Sequence, residues 1–266
     1  MKNITILGAG WLGFPLAVAL QKAGHTVKAS TTSSEKMKSF EDHHLHAFHI
    51  NLDETESSEK LLSFLQDTDI LIITVPPAFR ADPNDNYVNK ITALIPFIEQ
   101  SGIKEVMFTS STTVYISTSG EVDETTVLEP VSVMDKQIIE VENHLLQNTL
   151  FNTCILRLGG LIGEDRHPVY FLAKRDVIEE ANEPVNMVHR EDIIRYIEAI
   201  VKQPVPNEIF NIVAPVMEDK RTFYSKAARE LNVTLPPFKD NANPKMRRVI
   251  GSKIAKRYDI AYYNLV

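Results

Sequence analysis

The chain has 266 residues, 44% hydrophobic and 24% charged, with a formal net charge of −7. That length and apolar share support one or two globular domains with a substantial core, and the acidic balance argues against a nucleic-acid partner. No run approaches the ~20 apolar residues of a bilayer-spanning helix, and a single cysteine, Cys154, leaves no internal disulfide framework. A cytoplasmic protein without a cleaved leader or a membrane partner is therefore expected.

Lys2-Asn3-Ile4-Thr5-Ile6-Leu7 reads as a short apolar strand that runs into Gly8-Ala9-Gly10-Trp11-Leu12-Gly13. Phe14 to Ala23 carry apolar side chains at helical spacing and stop at Gly24, a helix C-cap. A strand, a G-x-G-x-x-G turn and a helix in that order form the dinucleotide-binding fingerprint. Gly8 would permit the tight turn, Gly10 the approach of a pyrophosphate, and Gly13 close packing of helix on strand. The helix N-terminus would offer N–H groups and its positive dipole end to the phosphates.

Further strands are expected at Thr26–Thr31, Ala47–Asn51, Ile70–Val75, Glu105–Ser110 and Thr153–Leu158, with helical patterns at about 11–23, 57–66, 86–100 and 134–147. This alternation predicts an α/β fold, a doubly wound parallel (Rossmann) sheet. After Gly163 the rhythm changes: a helix from Pro168 to about Glu180, a strand at Pro184–Val188, a helix at Arg190–Lys202, a strand at Ile209–Val213 and a helix at Lys220–Leu231. Residues 1–163 thus read as a dinucleotide-binding domain whose sheet is completed by about 205–214, and 164–266 mostly as a small interleaved C-terminal substrate lobe. Charge is divided accordingly. Residues 1–160 hold 11 Lys+Arg against 20 Asp+Glu, whereas 239–257 holds seven basic residues against Asp240 alone. That run reads as a solvated helix face or as a basic wall for an anionic substrate.

In an NAD site an acidic residue about twenty positions past the glycines takes the ribose diol. Here the second strand ends Thr31-Thr32-Ser33-Ser34, with Lys36 close by and no acid before Glu35. Hydroxyls and an ammonium suit a 2′-phosphate, so Thr31, Thr32, Ser33 and Lys36 point to NADP, with NAD the alternative. A solvated loop and helix N-cap is the plainer reading of the same run. Asp53, in Asn51-Leu52-Asp53, would meet the adenine amino group. Val75, Pro76 and Pro77 would line the cofactor cleft at the end of the fourth strand.

Several motifs, in order, resemble the extended short-chain dehydrogenase/reductase group, the NAD-dependent epimerase/dehydratase-like proteins. They are the glycine turn, Thr109-Ser110-Ser111-Thr112-Thr113-Val114-Tyr115, Asp123-Glu124-Thr125, Ile155 to Gly163 followed by Arg166, Val188-His189-Arg190-Glu191-Asp192, and Phe210-Asn211-Ile212. The resemblance implies a Tyr-x-x-x-Lys pair in the helix after Pro130. Anchoring on Lys136 puts Ser132 at the tyrosine, and anchoring on Val141-Glu142 puts Met134 there with Ile138 for the lysine. No Tyr occurs between 116 and 169, so the chain resembles the atypical members of the group. The resemblance implies Ser111 as the group polarising a substrate carbonyl and Lys136 as holder of a ribose. Tyr115 is the substitute proton donor to consider, and Arg166 and His189 lie in segments near the substrate. Asp192 either charges the first turn of its helix or meets substrate.

Other constellations carry less. Tyr170-x-x-x-Lys174 arrives some forty residues late and reads as packing plus a solvated lysine. His43, His44, His46 and His49 read as a polar edge strand, with no metal site expected. Without a G-x-S-x-G elbow an α/β-hydrolase is not expected. The functional expectation is an NAD(P)-binding oxidoreductase or epimerase-like protein for a small polar, anionic or sugar-nucleotide-like molecule, acting as monomer or homodimer. The alternatives are a non-catalytic NADP(H)-binding sensor or scaffold and a β-hydroxyacid-type dehydrogenase. The glycine turn speaks for what is bound; the absent tyrosine leaves turnover open.

Overall fold

Ile4, Ile6 and Leu7, with the all-apolar Ile70–Ile73, are too hydrophobic on both faces for a half-exposed sheet. In the computed structural model, which describes residues 1–52, 57–78 and 85–265, they form central strands covered on both faces. The chain runs β1 (Asn3–Leu7), α1 (Gly13–Lys22), β2 (Thr26–Thr31), α2 (Ser34–Glu41), β3 (His46–His49), α3 (Ser58–Leu65) and β4 (Ile70–Ile73). It continues with α4 (Tyr87–Thr92), α5 (Ile95–Gln100), β5 (Glu105–Ser111), a 3-10 turn (Thr112–Tyr115), β6 (Glu121–Val122), α6 (Val133–Leu146) and β7 (Asn152–Leu158). The last elements are β8 (Gly160–Ile162), α7 (Pro168–Leu172), β9 (Met187–His189), α8 (Arg190–Ile200), β10 (Glu208–Ile212), α9 (Lys220–Glu230), β11 (Arg248–Val249) and α10 (Ser252–Tyr258).

The strand order is β10-β7-β5-β4-β1-β2-β3, a seven-stranded parallel sheet with helices between the strands. Winding proceeds outward from β1 to β3, then returns to β4 on the other side of β1. The chain reverses there, and the crevice at the carboxyl ends of β1 and β4 is where such sheets take ligands. The doubly wound sheet expected from the alternation is thus present.

The chain folds into two compact units: Met1–Ser110, Pro130–Leu156 and Ile197–Ile209 in the first, Ser111–Glu129, Arg157–Tyr196 and Phe210–Val266 in the second. The first unit has a core in which Leu61, Phe64 and Leu65 of α3 meet Leu71, Ile73, Tyr87, Ile91, Ile98 and Phe108. The second packs Val169, Leu172, Ile178, Val185, Phe223, Tyr224, Ala227 and Leu265. It carries two small parallel strand pairs, β8/β9 and β6/β11, beside its helices, so it is not the largely helical second domain of a β-hydroxyacid-type enzyme.

Three elements depart from the sequence reading for physical reasons. The helix expected at 86–100 breaks into α4 and α5, because Pro96 lacks the N–H that would extend α4 and instead starts the next helix. The helix expected from Pro168 to about Glu180 ends at Leu172, and Ile178 pairs with Phe238 and enters the second core. The Pro-, Asn- and Lys-rich tail forms β11 and α10. Of the histidine-rich segment, His46 and His49 lie at the sheet margin in β3, whereas His43 and His44 belong to the turn between α2 and β3. Lys174 falls outside the five-residue α7 that carries Tyr170.

His167 caps α7, accepting from Val169 N at 3.3 Å through Nδ1, and its ring stacks on Phe223 at 6.3 Å. Burial lowers its pKa from the ordinary 6.5. A base whose folded pKa is lowered binds fewer protons than the unfolded chain, so stability is lost as pH falls from the unfolded value through the folded one. Urea midpoints of the wild type and His167→Asn at pH 7.5 and 5.5 are therefore expected to diverge, with the wild type losing more on acidification. Equal losses would remove His167 as the source.

Candidate functional site

β1 ends in the glycine turn, and each glycine has a distinct surrounding. Gly8 has φ +96°, a left-handed conformation that L side chains rarely adopt, and a Cβ on it would lie 2.8 Å from Val75 Cγ2. A Cβ on Gly13 would lie 2.6 Å from Gly8 O and 2.7 Å from Thr74 Oγ1, so helix α1 meets the strand end only because Gly13 has none. A Cβ on Gly10 would meet nothing within 4 Å. The backbone at Gly10 is thus open to a ligand. Helix α1 begins without a side-chain cap and without an acidic residue in its first turn, leaving its dipole end for an anion.

Two residues not singled out by sequence hold this turn. Ser30 Oγ accepts from Gly8 N at 3.0 Å and Ser30 O from Ala9 N at 2.7 Å, while Thr74 Oγ1 donates to Gly8 O at 2.7 Å. The signal for Thr74 is a hydroxyl directly after the all-apolar β4, and for Ser30 a buried hydroxyl next to the last residue of β2.

A cleft of about 240 Å³ opens at these strand ends. Its walls come from Leu7–Gly10 after β1, Ser30–Ser33 and Lys36 after β2, Ile50–Leu52 after β3, and Val75, Pro76 and Ala78 after β4, with Lys90 from α4. The expected cofactor residues Gly8, Gly10, Thr31, Thr32, Ser33, Lys36, Val75 and Pro76 are thereby brought to one cavity. Trp11, Leu12, Gly13 and Pro77 lie outside its lining. Asp53 lies outside the described residues. Ser33 is the N-cap position of α2, and Thr31 Oγ1 accepts from Ser33 N at 3.1 Å. Lys36 is exposed and forms no ion pair among the described residues.

The residues considered for chemistry are placed differently from one another. Ser111 caps the 3-10 turn; its Oγ accepts from Thr113 N at 3.2 Å and from Thr113 Oγ1 at 3.0 Å, which leaves its own proton to donate. Tyr115 is fully buried. Its hydroxyl accepts from Arg157 Nη1 at 2.7 Å and donates to Asn211 Oδ1 at 3.0 Å. Burial raises its pKa against the opposing pull of Arg157 and Asn211. Lys136 is exposed on α6, and Ser132 caps that helix in a reciprocal capping box with Asp135. Glu142 is buried in the same helix and accepts from Ser110 Oγ at 2.5 Å. Cys154 is buried and in no disulfide.

In the second unit, Arg166 is exposed in a reverse turn closed by its own bonds with Gly163, and His189 Nδ1 caps α8 by accepting from Glu191 N at 3.2 Å. Neither lines that unit's cleft of about 280 Å³. Its charged walls are Lys220, Lys245, Arg247, Glu180 and Glu183. Lys220 is bound by Glu180 at 2.8 Å and Glu183 at 3.2 Å. Burial alone would raise the Glu183 carboxyl, but bonds from Lys245 N, Asn241 and Lys220 outweigh it and hold the pKa below the ordinary value. Arg247 donates through Nη1 to Tyr115 O at 3.1 Å, while its Nε is buried without a hydrogen-bond partner. Two members of the basic 239–257 run therefore face this cleft.

Among the described residues no helix is long and apolar enough to cross a membrane, and no group of three or more His, Cys, Asp or Glu could hold a metal ion.

A family model described as NAD(P)H-binding matches residues 8–204. Protein YeeZ of Escherichia coli K12 is 33% identical over 265 residues, 98% of this chain and 96% of its own. Among solved structures, UDP-glucuronic acid 4-epimerase from Bacillus cereus in complex with NAD superposes at TM-score 0.81 and 19% identity, over 99% of this chain and 94% of that one. A short-chain dehydrogenase/reductase superfamily protein from Agrobacterium tumefaciens with bound NAD superposes at TM-score 0.78 and 15% identity, over 98% and 93%. At these identities the two structures speak for the fold.

Proposed function

The chain belongs to the NAD(P)H-binding family, and from that premise we propose that it is an NADP(H)-preferring oxidoreductase or epimerase-like enzyme of the extended short-chain dehydrogenase/reductase group, for a small, polar, anionic substrate. The observation that carries this reading is the chemistry of the cavity at the strand ends. Four hydroxyl residues and two lysines line it, with no carboxylate among its described walls. A carboxylate at the end of β2 would repel a 2′-phosphate; Thr32, Ser33 and Lys36 can donate to it.

The bound dinucleotide supplies the hydride chemistry. The chain's own residues bind and orient. The open backbone at Gly10 and the uncapped start of α1 receive the pyrophosphate, and Val75 and Pro76 wall the opposite side. Ser111 donates its remaining proton to a substrate oxygen and polarises it. Arg247, whose Nε is buried without a partner, receives an anionic part of the substrate together with Lys245, since a guanidinium fork suits a carboxylate or phosphate. Arg166 and His189 would act on substrate only from outside that cleft.

One observation favours a second reading, a nucleotide-binding sensor without turnover: the Tyr115 hydroxyl is engaged on both sides and no Tyr-x-x-x-Lys helix pair is available. One experiment serves both. Binding is measured by titration calorimetry. NADPH is expected to bind at least about tenfold tighter than NADH, and Lys36→Glu to remove about 1.4 kcal/mol of that difference. Equal or tighter NADH binding would refute the preference. Purified protein with NADPH and a panel of carboxylate- and phosphate-bearing carbonyl compounds then separates enzyme from sensor. Net oxidation of the dihydronicotinamide, or an epimerised product detected with the oxidised cofactor, supports the enzyme, and tight binding with neither selects the sensor.

A further inference from the structure

Lys90 and Asp85 form an ion pair at 2.8 Å with side chains only 8% and 6% exposed. Lysine is almost never buried to this degree unless it is paired. The pair is built in on several sides. Asp85 Oδ2 accepts from Ala78 N at 2.8 Å. Gln137 Oε1 accepts from Tyr87 N at 2.7 Å, and its Nε2 donates to Asp85 O at 3.1 Å. Tyr87 OH donates to Val75 O at 2.7 Å. The turn after β4 and the start of α4 are thereby locked together, and Lys90 lines the cofactor cavity together with Val75 and Ala78 of this cluster.

We propose that Lys90, held by Asp85 beside Val75–Ala78 in the cofactor cavity, donates to the hydroxyls of the ribose on the nicotinamide side of the bound dinucleotide. This rests on the dinucleotide occupying that cavity. Strand order sets which half lies near Lys90. The β2 and β3 walls, with Ser33, Lys36 and Asn51, stand on one side of the glycine turn and take the adenosine half, so the other half lies over β4. Charge sets which group is bound. An ammonium already neutralised by a carboxylate 2.8 Å away adds little net attraction for phosphate. It remains a directional donor, because an ammonium carries three N–H groups and the bond to Asp85 Oδ1 sets their orientation. A neutral hydroxyl is the acceptor such a paired donor suits. The surrounding bonds fix the ammonium in advance, which lowers the ordering cost of binding.

The test compares ADP, ADP-ribose and NADPH by titration calorimetry against the wild type, Lys90→Met and the double variant Lys90→Met/Asp85→Asn. The double variant leaves no unpaired buried charge, so it answers the question if the single variant fails to fold. The expected result is a loss of about tenfold in affinity for ADP-ribose and NADPH with ADP affinity unchanged. Unchanged affinity for all three overturns the proposal, as does equal weakening of ADP and ADP-ribose, which would assign Lys90 to the phosphates or to the fold alone. A wild type that binds none of the probes overturns it together with the cofactor reading, and that failure is distinguishable because it precedes any substitution.

Discussion

Gly13→Ala is expected to abolish dinucleotide binding and to lower stability by about 1–3 kcal/mol, the range for a methyl group forced into a filled space. The new Cβ would sit 2.6 Å from Gly8 O and 2.7 Å from Thr74 Oγ1. The first of these is backbone, and the second is committed to Gly8 O, so neither can yield without moving the turn. Gly10→Ala provides the contrast. Its Cβ meets nothing within 4 Å, so the folded protein should tolerate it. Less freedom in the unfolded chain would then raise stability by about 0.4–1 kcal/mol where the backbone angles suit alanine. The methyl group nevertheless occupies the face offered to the pyrophosphate, and binding should fall at least about tenfold. Thermal midpoints with NADPH titrations of both variants decide the matter. Equal destabilisation, or wild-type affinity in Gly10→Ala, would refute the division of labour between the two glycines.

The second large effect concerns Asp192, which has no exposed surface. Its carboxylate accepts from Tyr263 N at 3.0 and 3.1 Å and from Arg195 Nη1 at 3.2 Å. The same face holds the C-terminal segment at three more points. Tyr196 OH donates to Ile260 O at 2.8 Å, Arg195 donates to Ala261 O at 3.1 Å, and the Arg195 guanidinium lies 4.8 Å from the Tyr263 ring centroid. Leu265 is then buried in the second core. Asp192→Ala removes the acceptor and leaves Tyr263 N unpaired, at a cost of about 1.5–3 kcal/mol for hydrogen bonds to a charged group. Hydrogen exchange of residues 259–265 should rise with the loss of stability, and unchanged protection there would exclude the anchoring role.

The pH dependence at Asp192 has a definite sign. Burial raises the carboxyl pKa above the ordinary 3.8, against the pull of Tyr263 N and Arg195. The folded state therefore binds the proton more tightly than the unfolded chain. The proton-linked part of its contribution therefore grows as pH falls through the folded value towards 3.8, in addition to the anchoring by the ionised carboxylate at neutral pH. The wild type should accordingly gain on Asp192→Asn as the solution is acidified.

The elements that sequence made legible are those with a local physical signature. The apolar run Ile4–Leu7 ending in three spaced glycines, the all-apolar Ile70–Ile73 and the period-3.6 patterns over Arg190–Lys202 and Lys220–Leu231 need no partner to be recognised. The hydroxyls of Thr31–Ser33 were legible for the same reason, since position after a strand defines the ligand edge of a parallel sheet. Short elements were less so: β8, β6 and β11 have two or three residues each and exist because another segment supplies their hydrogen bonds, and the strand expected at Pro184–Val188 is β9, shifted to Met187–His189 by its pairing with β8.

Sequence alone determined the alternation of strand and helix, the fingerprint glycines and the absence of a Tyr-x-x-x-Lys pair from the helix that follows Pro130. Each of these is a property of neighbours along the chain. Only the tertiary structure decided that Tyr115 is sealed between Arg157 and Asn211, that Asp192 anchors the C-terminal segment, and that Lys90 is a buried cavity wall paired with Asp85. In sequence, Tyr115 and Asn211 are 96 residues apart, and Lys90 has the pattern of any solvated helix lysine. What distinguishes these side chains is desolvation and a partner brought by folding, and neither is written in the local order of residues.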